Sequence, residues 1–146
     1  MSISVRPLIV ATTLAFALAA TPAFAEMVHF KAALDGKSEV PPTDSAGTGT
    51  VDATYDTDSK AFTWTIDYSG LSGDASAAHF HGPADPGANA SPVVPIDGAL
   101  TSPIKGTATL TDEQATDLQA GKWYFNIHTA KFPDGEIRGQ VTKADM

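Results

Sequence analysis

Val51-Asp52-Ala53-Thr54-Tyr55-Asp56-Thr57-Asp58-Ser59-Lys60-Ala61-Phe62-Thr63-Trp64-Thr65-Ile66-Asp67-Tyr68 reads as two strands joined by a turn. Val51, Ala53 and Tyr55 alternate with Asp52 and Thr54, and Phe62, Trp64, Ile66 and Tyr68 alternate with Thr63, Thr65 and Asp67. Side chains along a strand point to opposite faces in turn, so each segment buries one row and wets the other. Asp56 to Lys60 supplies the turn. Asp52, Asp56 and Asp58 have the look of a calcium loop. The glycine and terminal glutamate of such loops are missing, so the cluster is a polar hairpin turn.

Outward from this hairpin the same period persists. Val28 to Ala32 starts a first strand, closed by Leu34-Asp35-Gly36, and Glu39-Val40-Pro41-Pro42 is extended or turning, since paired prolines cannot serve a central ladder. Ala75 to His81 is a strand, Gly82 to Ser91 a loop rich in proline and glycine, Val93-Val94-Pro95-Ile96 a short edge strand and Ile104 to Leu110 another strand. Thr111-Asp112-Glu113-Gln114 is a capping box that opens a short helix, with Leu118 as its apolar contact and Gly121 as its stop. Lys122 to Thr129 and Glu136 to Thr142 pair around the turn Phe132-Pro133-Asp134-Gly135. About eight short strands at regular spacing predict an all-β fold: an antiparallel Greek-key β-sandwich with one short connecting helix.

Residues 1–25 read as a secretory signal. Arg6 gives the positive start, Leu8 to Ala20 is an apolar run broken only by Thr12 and Thr13, and Ala23-Phe24-Ala25 marks the cleavage site. Cleavage leaves residues 26–146 as a single domain in the periplasm or outside the cell. The apolar run is too short for a membrane span, and no membrane insertion is expected after cleavage. Without Arg6 the chain holds 8 basic against 17 acidic residues, a balance of −9. Such a charge repels nucleic acid. With no cysteine, disulfides, thiolate ligands and a cysteine nucleophile are excluded, and stability rests on the core.

Three of the four histidines fall in two short segments, His79-Phe80-His81-Gly82-Pro83 and Asn126-Ile127-His128-Thr129. Alternation sets His79 and His81 on one face with Phe80 on the other. It also sets Tyr124, Asn126 and His128 opposite the apolar row of Trp123, Phe125 and Ile127. If the apolar row is core, all three imidazoles lie on the outer side of the sheet. One reading is a metal site of His79, His81 and His128. Imidazole without thiolate suits copper or zinc, with affinity alone favouring copper. The other reading is that these rings bond loop carbonyls and hold the turns. Arg138 points to the same side, either to hold an anion or substrate, or to form an ion pair with Glu136 or an aspartate of the Pro83–Gly87 loop. Tyr124 and Asn126 either support a ligand or are exposed strand residues. His29 is expected to be solvated. The sequon Asn89-Ala90-Ser91 is followed by Pro92, which weakens it. No serine–histidine–aspartate arrangement is recognisable, and no catalytic residue is assigned.

Three motifs in order resemble the CHRD domain family, found in chordin and in many exported microbial proteins. They are Leu34-Asp35-Gly36 with Glu39-Val40-Pro41-Pro42, then Ala78-His79-Phe80-His81-Gly82-Pro83-Ala84, then Gly121 to Thr129 with Gly135-Glu136-Ile137-Arg138-Gly139-Gln140. The resemblance implies a β-sandwich module in an exported protein. Ala77-Ala78-His79-Phe80-His81-Gly82 is also similar to the copper-ligand strand of copper–zinc superoxide dismutases, with His128 and Arg138 in the places of a later copper ligand and an active-site arginine. That family's bridging and zinc-subsite histidines have no counterpart between His81 and His128, and its disulfide is impossible here. The leading expectation is an exported, non-catalytic binding module with a histidine metal site and an envelope partner or other ligand. The alternatives are a copper-dependent redox enzyme resembling superoxide dismutase, and a structural or adhesive envelope module.

Overall fold

Alternation in sequence becomes alternation in burial along the first three strands of the computed structural model, which describes residues 24–144. The signal expected over residues 1–25 lies outside the described residues but for its last two positions. The strands are β1 (Met27–Asp35), β2 (Thr48–Asp56), β3 (Ala61–Ser69), β4 (Ala75–His81), β5 (Pro92–Pro95), β6 (Ile104–Thr109), β7 (Trp123–Thr129) and β8 (Ile137–Lys143); helix α1 (Asp112–Gln119) lies between β6 and β7. They hydrogen-bond in the order β5-β4-β7-β8-β1-β2-β3-β6, every pairing antiparallel.

The fold is the all-β antiparallel one with a short connecting helix. Its eight strands belong to a single sheet curled nearly into a barrel, so Val94 of edge strand β5 and Thr107 of edge strand β6 line one groove. β1 to β3 form a meander. The pairings of β4 with β7 and of β8 with β1 join strands distant in sequence, and the first sets the two histidine segments side by side.

The inward rows meet at Phe62, whose ring packs edge-on against Phe30, Phe80 and Trp123. Trp64, Ile66, Phe125, Ile127, Ile137 and Val141 complete the buried core. Burying each such side chain contributes about 1.5–3 kcal/mol, and the aromatic contacts add to it. Helix α1 starts at Thr111, whose side chain accepts from the Gln114 N–H while Gln114 reaches back to the Thr111 N–H. It turns Ala115 and Leu118 to the core. Where β8 meets β1, a Cβ at Gly139 would run into the Ala33 carbonyl oxygen, so only glycine admits this close pairing.

β7 departs from simple alternation. Trp123, Phe125 and Ile127 are buried on the inner face as expected, but Tyr124 and Asn126 on the outer face are also buried. Exposure of those two, one of the sequence readings, is corrected: the Gly82–Ser91 loop folds back over this part of the sheet. Gln140 Nε2 holds the Ala84 oxygen at 2.8 Å, and Ala84 N–H bonds the Lys122 oxygen at 2.7 Å.

Candidate metal centre

The antiparallel register of β4 and β7 builds the site as a small grid. His128 lies opposite Ala77, Asn126 opposite His79, and Tyr124 opposite His81. On the next strand, Arg138 lies opposite Asn126 and Gln140 opposite Tyr124. Direct and diagonal neighbours on one face of a sheet touch. The side chain opposite His128 is small, which leaves space for the ring to lean toward His79. His79 Nδ1 and His128 Nε2 are 3.2 Å apart. One nitrogen from each of His79, His81 and His128 lies within 4.8 Å of the others, so these three close histidines could hold a metal ion. His79 and His128 are half-buried and His81 is 7% exposed. His29 is exposed, on β1, and takes no part.

Two backbone carbonyls settle which nitrogens are free. His81 Nδ1 is 2.9 Å from the Ala90 oxygen, and His128 Nδ1 is 2.8 Å from the Pro133 oxygen. A carbonyl only accepts, so both Nδ1 atoms carry hydrogen and donate. In the neutral ring the other nitrogen, Nε2, then bears a lone pair. This is how metal-binding imidazoles are oriented: one nitrogen anchored to the protein and the other bare. The two sequence readings of these histidines are therefore compatible. The rings do hold turns through their carbonyl bonds, and the same bonds aim their free nitrogens at one spot.

Asn126 Oδ1 lies at that spot, 2.9 Å from His81 Nε2 and 3.0 Å from His128 Nε2. Between neutral rings, His79 Nδ1–H can donate to His128 Nε2, but the amide oxygen still faces two bare nitrogens, acceptor against acceptor. Protonating both rings would supply donors, but at the cost of two imidazolium charges side by side near Arg138. Burial, first, and the charges of His128 and His81 hold His79 below the ordinary imidazole value. His81 is also held below it by burial, against the opposing pull of its bonds to Ala90 and Asn126. A cation satisfies the convergence without those protons.

Arg138 is 2% exposed and makes no ion pair among the described residues. The expected partners, Glu136 or an aspartate of the Pro83–Gly87 loop, are replaced by Asn89 Oδ1 at 2.9 Å from Nη1 and the Ala88 oxygen at 2.6 Å from Nη2. Its guanidinium carbon sits 3.4 Å from the centre of the Tyr124 ring, whose hydroxyl bonds the Ala90 oxygen at 3.1 Å. Arg138 thus fixes the loop that anchors His81 through two of its five N–H donors. Asn89, the sequon residue, is tied on both sides, because its Nδ2 also donates to the Val40 oxygen at 3.1 Å. Glu136 is instead fully buried. Its carboxylate collects Ser45 Oγ, Ser72 N–H, Ser72 Oγ and Thr129 Oγ1 at 2.5–2.7 Å.

Glu39 is the functional candidate that sequence reasoning missed. It sits in the segment Glu39-Val40-Pro41-Pro42, 4% exposed, and its Oε1 has no hydrogen-bond partner among the described residues. Burial pushes its carboxyl up to about 7, against the lowering effects of Arg138, the Asn126 amide and the Val40 N–H. A Cβ at Gly135, in the β7–β8 turn, would collide with Glu39 Oε1 and come within 2.7 Å of Asn126 Nδ2. The backbone there has φ +126°, a second reason for glycine. The acid and the amide therefore share the space above Gly135, with the imidazoles on the far side of the amide.

No match was found among curated proteins, and none among solved structures. The model of the CHRD domain matches residues 30–141, which takes in most of β1 and of β8 and all the elements between them, with His79, His81, His128, Glu39, Asn126 and Arg138. By that match the chain belongs to the CHRD domain family.

Proposed function

We propose that this protein is an exported, non-catalytic binding module whose CHRD domain holds one Cu(II) or Zn(II) ion on His79, His81 and His128. A CHRD domain points to a binding module, and the three close histidines supply its candidate ligand chemistry. The observation that carries the reading is the convergence of the bare Nε2 atoms of His81 and His128 with Asn126 Oδ1, fixed by carbonyl bonds on the opposite ring nitrogens. His79 joins by moving its single proton from Nδ1 to Nε2, which needs no net proton loss. Three neutral imidazoles suit either ion, and the Irving–Williams order favours copper where both are present. The signal-like residues 1–25 agree with export.

Titrating the purified protein with Zn(II) and Cu(II), beside His79→Ala and His128→Ala, tests this reading. One ion per chain, lost in both variants, supports the site, and the loaded protein is expected to turn over no superoxide. Binding unchanged in the variants contradicts it.

A further inference from the structure

The side chain that faces the imidazoles can turn two ways. With its NH2 toward the rings, Asn126 would donate to the bare nitrogens of His81 and His128 and plug the site. With its oxygen toward them, the NH2 must find an acceptor on the other side. In the structure the oxygen faces the rings, and Nδ2 faces the space above Gly135. Among the described residues, the side chain nearest to it in that space is Glu39, whose Oε1 is buried and has no hydrogen-bond partner. We propose that Asn126 Oδ1 is the fourth donor to the ion and that Glu39 is the positioning residue that keeps it turned there. This inference rests on the histidine metal site proposed above.

The geometry fits four donors. A tetrahedral ion with bonds of about 2.0–2.1 Å has its ligands about 3.3 Å apart. His79 Nδ1 to His128 Nε2 is 3.2 Å and Asn126 Oδ1 lies 2.9 and 3.0 Å from its two neighbours, near that spacing, while the three histidine nitrogens lie within 4.8 Å of one another and must draw together onto the ion. Register supports the assignment, because Asn126 is cross-strand partner to His79 and lies between the His128 and Tyr124 positions of the same row. The result is three nitrogens and one neutral oxygen. The far side of the amide is closed by a carboxyl group that can accept from Nδ2 but offers it nothing to accept while ionised.

Zn(II) affinity measured by calorimetry on the full mature chain tests the proposal through a double-mutant cycle. Glu39→Leu removes the acceptor and is expected to weaken binding about tenfold or more, as loss of groups that orient metal ligands does. Glu39→Gln keeps an acceptor oxygen and stays within about threefold of the unaltered protein. In Asn126→Asp, a carboxylate presents oxygen whichever way it turns, so adding Glu39→Leu brings no further loss. Equal losses from Glu39→Leu in both backgrounds, or none in either, overturn the positioning role. Asn126→Asp alone is expected to tighten binding, and unchanged or weaker binding overturns the donor role even if Glu39→Leu does not fold. No Zn(II) binding by the unaltered protein brings down the histidine site itself, whereas binding with a failed cycle brings down only this inference.

Discussion

Tyr124 lies flat against His81, the ring centroids 4.6 Å apart and the planes 5° from parallel. Arg138 covers the other face of the Tyr124 ring, so a cation, a phenol and an imidazole are layered across three neighbouring strands. Arg138→Lys keeps the charge but loses the planar face and the fork that reaches Ala88 and Asn89 together. The Ala88 carbonyl and the Asn89 amide oxygen, half-covered at the edge of the loop, then lose the donors that hold them. The expected cost is about 2–3 kcal/mol in urea unfolding. The Gly82–Ser91 loop should also become faster in amide exchange. An unchanged midpoint would contradict the clamp assigned to Arg138.

Glu39 and Glu136 should pull the pH dependence of stability in opposite directions. The folded form of Glu39 holds its proton up to about pH 7, whereas the unfolded chain releases it near 4.5. The folded state therefore binds more protons in that window, and stability falls as pH rises from 4.5 to 7. Glu39→Gln removes this slope. The difference between wild type and variant, followed by urea unfolding across the window, should change by roughly 2 kcal/mol.

Burial works to raise the Glu136 carboxyl, but the hydroxyls of Thr129, Ser45 and Ser72 with the Ser72 N–H outweigh it and hold the group below the usual carboxylate range. Its contribution is present above the unfolded value and is lost as pH falls through the lower folded one. Glu136→Gln should cost about 1–3 kcal/mol at pH 7, and the gap to wild type should close on acidification below pH 4.5. A gap that stays constant with pH would show that packing, not the ionised carboxylate, sets the cost.

Gly139→Ala tests the close seam of β8 against β1. A methyl group there meets the Ala33 carbonyl, which is backbone and cannot swing aside. Displacing the strands should cost about 1–3 kcal/mol or more, read as a lower thermal midpoint. A neutral outcome would mean that the seam is looser than described.

Alternation made much of this legible in the chain itself. Phe62, Trp64 and Ile66 declared an inward row, and the spacing of His79 and His81 put both rings on the face opposite Phe80. Period two cannot show whether an outward face is later covered. Tyr124, Asn126 and Arg138 are buried because a loop from Gly82 to Ser91 returns over them, and that return depends on bonds such as Arg138 to Asn89 that span 49 positions. Glu39 was hidden for the same reason. Its neighbours Arg138, Asn126 and Gly135 all lie far along the chain, and a glutamate beside two prolines looks locally like a solvated turn. The carbonyls of Ala90 and Pro133, which decide the ring tautomers, carry no side-chain signature at all.

Anomalous diffraction at the zinc edge, from crystals soaked with one equivalent of Zn(II), measures the centre directly. A single peak about 2.0–2.1 Å from His81 Nε2, His128 Nε2 and a ring nitrogen of His79 is the expected result. A peak elsewhere on the surface, or one touching only one of these rings, contradicts the account.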